Sequence, residues 1–220
     1  MDCIAHRGFA ETNPENTLAA VRAAGSGDQT ADAVEVDVRR CGSGELVVVH
    51  DEAVDRVSDG TGRVGKLSLP ELRGLDVLGT GAGVPTLDDV LAAAAVPLNV
   101  ELKERGLAAD ALERADEAGA GPLFSAFDPA VVEALRERGG EAALLFFEAP
   151  GEALDRARRL DCPAVHPHHA LCDAGFVAQA HGAGVAVNAW TVRSRGTAAD
   201  LAAAGADGLI ADAPGYCVGR

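Results

Sequence analysis

Histidines and carboxylates stand where short apolar runs of this chain end. Cys3-Ile4-Ala5 leads into His6-Arg7-Gly8, Leu46 to Val49 leads into His50-Asp51, and Leu98-Asn99-Val100 leads into Glu101-Leu102-Lys103. The run Val34 to Val38 carries Glu35 and Asp37 two positions apart, so both side chains leave one face of an extended strand. Burying unpaired charge costs several kcal/mol, so a strand core does not collect such groups without a reason. Three close carboxylates, Glu35, Asp37 and Glu101, repel one another unless a proton or a cation intervenes. All-oxygen donors of this kind suit one hard divalent cation, Mg²⁺ or Ca²⁺. The plainer reading pairs the acids with Arg39, Arg40 or Lys103. His6 and His50 flank the acids and suit a general base and a general acid. Asp51 adjoins the second of them as a supporting carboxylate. Arg7 and Lys103 supply positive donors for an anionic group such as a phosphate.

Other residues admit two readings. Glu15 is either an ordinary first-turn acid or a partner that orients His6 or Arg7, and Asn16 or Thr17 caps the helix that follows. Trp190, the only tryptophan, and Phe127 either wall a pocket or fill the mouth of the core; the pocket is preferred. His166-Pro167-His168-His169 has metal-like spacing without a carboxylate companion and reads as a solvent-facing loop. His181 reads as a cap at a helix end. There is no G-x-G-x-x-G after a strand, no P-loop and no G-x-S-x-G elbow.

The elements that must hold these groups alternate. Eight apolar runs are expected as strands: Cys3 to His6, Val34 to Val38, Leu98 to Leu102, Leu123 to Phe127, Ala143 to Phe147, Ala164 to His166, Val185 to Trp190 and Gly208 to Ala211. Amphipathic, alanine-rich stretches lie between them, several ending at Gly119, Gly139, Gly182 or Gly205 as left-handed stops. Asp128-Pro129 is a helix start. Strand–helix alternation implies parallel pairing, and eight units imply a closed (β/α)₈ barrel whose reactive residues sit at the C-terminal strand ends. Leu46 to Val49 follows Val38 too soon for a parallel crossover and must form a hairpin. Folding about Gly42-Ser43 sets Glu35 opposite His50. Residues 51–85 lack barrel periodicity and read as a small inserted subdomain capping the active face. The whole chain is expected to be one barrel domain.

Composition narrows the partners. The 220 residues carry a formal net charge of -15 and hold only two lysines, Lys66 and Lys103. Such a chain makes a poor binder of nucleic acid or of an anionic membrane surface. A high-salt cytoplasm would screen its self-repulsion; an acidic protein of a high-GC bacterium is the plainer source. No apolar run approaches the ~20 residues that span a bilayer. Five cysteines without a C-x-x-C pair read as reduced thiols, and the N-terminus enters strand and motif at once, so a cytoplasmic location is expected.

The combination of His6-Arg7-Gly8, Pro14-Glu15-Asn16-Thr17, Glu35-Val36-Asp37, His50-Asp51, Asp59-Gly60-Thr61-Gly62, Pro85-Thr86-Leu87, Glu101-Leu102-Lys103, Ser125-Ala126-Phe127-Asp128-Pro129 and Trp190-Thr191-Val192 resembles the glycerophosphodiester phosphodiesterase family in order and spacing along nearly the whole chain. The resemblance implies a metal-dependent hydrolase on a barrel with a small insertion, releasing an alcohol and glycerol phosphate. It implies one divalent cation on Glu35, Asp37 and Glu101, His6 as proton acceptor, His50 as proton donor, Arg7 and Lys103 on the phosphate, and Trp190 on the glycerol. Two positions depart from it: Arg193 stands where many relatives carry Asn, and Ala126 where a second Ser is frequent. Lysophospholipase D-type hydrolysis and a non-catalytic glycerophosphodiester-binding module are the alternatives. Thr61 to Lys66 offers no apolar lip for the first, and no histidine or carboxylate is missing as the second would require.

Overall fold

Runs of Val, Leu and Ala too short for stable helices become strands when both faces can be buried. In the computed structural model, which describes residues 1–26 and 31–217, this happens nine times. The strands are β1 (Asp2–His6), β2 (Ala33–Arg40), β3 (Leu46–Val48), β4 (Leu98–Leu102), β5 (Leu123–Ala126), β6 (Ala142–Phe146), β7 (Ala164–Pro167), β8 (Ala186–Val192) and β9 (Gly208–Ala211). Eight of them pair in parallel around a ring, β1-β2-β4-β5-β6-β7-β8-β9, which β9 closes onto β1. This is the expected closed barrel. The exception is β3, antiparallel to the end of β2 that extends past β1.

The helices α1 (Leu18–Ala24), α2 (Leu69–Arg73), α3 (Leu87–Ala93), α4 (Ala108–Glu117), α5 (Pro129–Arg136), α6 (Pro150–Arg159), α7 (Ala174–Gly182) and α8 (Arg195–Ala204) include seven that follow barrel strands. Their starts obey local capping chemistry. Thr17 accepts from the Ala20 N–H and so caps α1, Asp128 caps α5, and Thr86 with Asp89 forms a capping box on α3. Gly119, Gly139 and Gly205 take the expected positive φ, but α7 runs through Gly182 and its left-handed stop is Gly184. Gly8 is needed where it stands: its φ is +78°, and a Cβ there would lie 2.6 Å from the Ala20 Cβ of α1. Its bare backbone lets α1 seat against the end of β1.

The main apolar core lies between the ring and its helices, filled by residues such as Val34, Val36, Phe124, Leu135 and Leu209. A second cluster gathers Val47, Val49, Val54, Val57, Val64, Leu72, Val77 and Val84, so most of the stretch 51–85 has its own small core under the hairpin. No helix is long and apolar enough to cross a membrane among the described residues.

Two expectations need correction. The hairpin centres on Ser43, not on the Gly42-Ser43 bond: Val38 faces Val48, and the Val49 N–H bonds the Asp37 carbonyl. Gly44, at φ +110°, supplies the left-handed residue of a longer turn. Glu35 is therefore not opposite His50, because a one-residue slip reassigns every cross-strand neighbour. The cysteines are not all reduced either. Cys3 on β1 is bonded to Cys217, just past a 3₁₀ turn at Pro214–Tyr216, while Cys41, Cys162 and Cys172 are free and buried. The cysteine-based argument for a reducing compartment is thereby removed.

Candidate active site

The parallel register of β2 and β4 sets Asp37 directly beside Glu101. Glu35, two residues earlier on β2, joins them, and one carboxylate oxygen from each of the three lies within 4.8 Å of the others. All three are buried, with exposures of 3%, 1% and 7%. Lys103 Nζ stands 2.5 Å from Glu101 Oε1 and 3.3 Å from Asp37 Oδ1. Arg7 reaches Asp37 Oδ2 at 3.1 Å through Nε and donates its backbone N–H to Glu35 Oε2 at 2.9 Å. Arg39 and Arg40 point elsewhere, to the His50 carbonyl and to Glu104 and Asp110.

These neighbours split the acids electrostatically. Burial raises the Glu35 carboxyl well above its usual range, and the Asp37 and Glu101 charges add to this. Burial, then Asp37, pushes Glu101 up to about 7 despite Lys103. Burial also acts on Asp37, but Lys103 and Arg7 outweigh it and hold that carboxyl well below the ordinary value. Glu35 Oε1 is buried with no hydrogen-bond partner, which is costly for a lone pair kept from water. An unsatisfied hard oxygen beside two further carboxylates fits a divalent cation.

The histidines reach the same cavity, of about 340 Å³, from different elements. His6 ends β1; its Nδ1 is hydrogen-bonded to Asp212, just beyond β9, and its Nε2 lies 4.0 Å from Glu35 Oε2. Asp212 also accepts from Arg193 Nε at 2.5 Å. His50 follows β3 and holds Asp51 Oδ1 at 2.6 Å through Nδ1. Arg56 Nε donates to Asp51 Oδ2 at 2.6 Å, and its two Nη groups donate to Glu15 at 2.8 Å. Glu15 in turn accepts from Arg7 Nη1 at 3.0 Å, so of its alternatives it orients Arg7 and does not touch His6. Burial lowers the His50 ring below its ordinary value, Lys103 and Arg7 add to this, and Asp37 opposes it.

Trp190 and Phe127 line the cavity, edge to face at a centroid distance of 5.3 Å, and Trp190 Nε1 donates to the His166 carbonyl. The histidine run is not a solvent-facing loop. His166 is fully buried on β7, and His168 and His169 line the cavity beside Trp190. The backbone pairs His166 with Leu145 in register, which turns its ring into the barrel. His181 sits in the last turn of α7 and bonds Asp207 at 2.8 Å.

Three contributors were not singled out from the residues. Asp212 directly follows the apolar run Gly208 to Ala211, the same strand-end signal that marks His6 and Glu101. Arg56 sits in a stretch without periodicity and gave no signal. Asn16, considered only as a cap, donates to Asp37 Oδ2 at 2.8 Å.

Comparison with known proteins bears on the family and the fold. The model of the glycerophosphoryl diester phosphodiesterase family matches residues 6–216. The provisionally named glycerophosphodiester phosphodiesterase YhdW of Bacillus subtilis (strain 168) is 30% identical, over 99% of this chain and 97% of the relative. The glycerophosphodiester phosphodiesterase of Caldanaerobacter subterraneus subsp. tengcongensis is 28% identical, over 96% and 93%. Among solved structures, an Oleispira antarctica phosphodiesterase in complex with the product sn-glycerol-3-phosphate superposes with a TM-score of 0.88 at 29% identity, covering 97% of this chain and 94% of that one. With three clustered carboxylates and two cavity histidines on a closed barrel that this family's description matches from residue 6 to 216, the chain belongs to the glycerophosphoryl diester phosphodiesterase family, a family of phosphoric diester hydrolases.

Proposed function

We propose that the chain hydrolyses glycerophosphodiesters to an alcohol and glycerol phosphate, with His6 as proton acceptor and His50 as proton donor. One observation carries the reading: three buried carboxylates lie within 4.8 Å of one another, and two of them, Glu35 and Glu101, line the cavity that both histidines reach. Arg7 and Lys103 hold the phosphate oxygens, and Trp190 and Phe127 flank the organic part. Asp212 on the Nδ1 of His6 keeps the ring's Nε2 free to take a proton. That proton comes from water, whose oxygen then forms the new bond to phosphorus, or from the neighbouring glycerol hydroxyl, in which case the cyclic phosphate that forms is opened to glycerol phosphate by water in a second step. The phosphorus–oxygen bond to the alcohol breaks, and the leaving oxygen takes a proton from His50, which Asp51 orients from the far side. A bound diester brings negative charge beside His50 and favours the protonated ring. Glu35, Asp37 and Glu101 would hold one divalent cation, Mg²⁺ or Ca²⁺, which when bound supplies charge neutralisation at the phosphoryl oxygens.

The test is direct. The protein is incubated with glycerophosphocholine and glycerophosphoethanolamine, with Mg²⁺, with Ca²⁺ or with a chelator, and glycerol phosphate is measured. Release with either cation and none with chelator supports the reading; no release under any condition overturns it.

One observation favours a second reading, hydrolysis of lysophospholipids by the same groups. Phe147 is 61% exposed, and its ring lies 6.1 Å from that of Phe127, which lines the cavity, so the two rings offer an apolar surface beside it. A higher kcat/KM on a lysolipid than on glycerophosphocholine would favour it.

A further inference from the structure

We infer that Arg56, supplied by the insertion, is a positioning residue that sets the orientation of His50. The inference rests on the reading of His50 as proton donor. Arg56 spends all three donor groups of its guanidinium on two carboxylates: Nε on Asp51 at 2.6 Å, and both Nη groups on Glu15 at 2.8 Å. Such a fork is geometrically selective in a way a lysine is not. The two carboxylates lead to different parts of the site. Asp51 continues to His50 Nδ1 at 2.6 Å, and Glu15 continues to Arg7 at 3.0 Å.

The two branches are not equally dependent on Arg56. Arg7 has further anchors, because its Nε faces Asp37 at 3.1 Å and its backbone N–H donates to Glu35. The hydrogen bonds of the Asp51 carboxylate run to His50 and to Arg56. The Arg56 hydrogen bond is also the main reason that the Asp51 carboxyl is pushed down to about 2, which keeps it an acceptor for the ring. Arg56 itself is held by local packing. Val54 and Val57 on either side of it are buried in the insertion's own core, and the Val57 N–H bonds the Val54 carbonyl. The insertion core thus aims the guanidinium, the guanidinium fixes Asp51, and Asp51 fixes the imidazole. Loss of Arg56 should therefore lower kcat through the donor and leave KM, set by Arg7 and Lys103, close to the parental value.

The experiment compares Arg56→Gln, Arg56→Lys and His50→Ala with the parent on two diesters. One releases choline, whose oxygen needs a proton. The other is a glycerol phosphate ester of p-nitrophenol, whose oxygen leaves without one. Expected for Arg56→Gln is a fall in kcat of about 10- to 100-fold on the choline ester, part of the 10²–10⁴ that a positioned acid contributes. The nitrophenyl ester should be nearly unaffected, and added methylguanidinium should restore part of the loss. Arg56→Lys should fall between, and covers the case that Arg56→Gln is poorly folded. Selective loss in His50→Ala, with equal losses on the two esters in both Arg56 variants or no loss at all, overturns the inference and spares the donor reading. Equal losses on the two esters in His50→Ala overturn the donor reading and the inference with it.

Discussion

His6 and Asp212 share a hydrogen bond although 206 positions separate them in the chain. They meet because β1 and β9 pair in register from Asp2 with Gly208 to Ala5 with Ala211, the seam at which the barrel closes. Closure of the fold and orientation of the His6 ring are thus one event. Asp212→Asn preserves size but offers an amide to the ring. The expected result is a drop in kcat of about 10- to 10⁴-fold with little change in KM, as when a carboxylate no longer selects a histidine tautomer. Steady-state kinetics check this, and an unchanged kcat would detach Asp212 from the base.

The buried carboxylates carry the prediction about metal. Glu35→Gln keeps the shape of the side chain and removes one anionic donor. Calorimetric titration with Mg²⁺ or Ca²⁺ should show weaker binding by at least about tenfold. A saturating cation should raise the parent's melting temperature, since a ligand at 100 times its Kd contributes about 2.7 kcal/mol. Equal binding by Glu35→Gln and the parent would remove Glu35 from the cation's donors.

His166 governs one part of the acid response. Burial pushes its ring down to about 3 from an ordinary 6.5, so between those values the unfolded chain binds a proton that the folded chain does not. Stability therefore rises with pH across that window and falls as the medium is acidified, by an amount on the order of a few kcal/mol for the full shift. Denaturant unfolding at a series of pH values should show this slope in the parent and a flatter one in His166→Gln. Identical slopes would contradict the assignment.

Much of this architecture could be read from residue order alone, and the reasons differ by element. The eight ring strands are visible because a strand buried on both faces is a continuous apolar run, and their helices because small and apolar residues recur at helical spacing. His6, Glu35, Asp37 and Glu101 stand out because a strand of this kind should not carry them. The hairpin register was not legible, since Gly42-Ser43-Gly44 accommodates a turn centred on Ser43 as well as one on the Gly42-Ser43 bond, and the observed turn uses the left-handed conformation of Gly44. The burial of His166 was not legible, because it ends the run Ala164 to His166 and at the same time opens a histidine run without a carboxylate companion, and residue order alone does not tell which way its ring faces. Arg56 lies where no periodicity exists, and its role arises from contacts with Glu15 and Asp51 that are local only in three dimensions.

The Cys3–Cys217 bond ties the segment that follows Asp212 back to β1 across 214 positions. Reduction should destabilise the fold by about 2–5 kcal/mol. Thermal melts with and without reductant check this, with Cys3→Ser as a second comparison. Equal melting temperatures would show that the bond does not hold the fold.

The proposed chemistry requires proton transfer by two imidazoles around one acid cluster. The decisive measurement is kcat/KM on glycerophosphocholine at saturating divalent cation for the parent, His6→Ala and His50→Ala. Each variant should fall by about 10²–10⁴ while binding the cation as the parent does. Parental turnover in either variant would contradict the account.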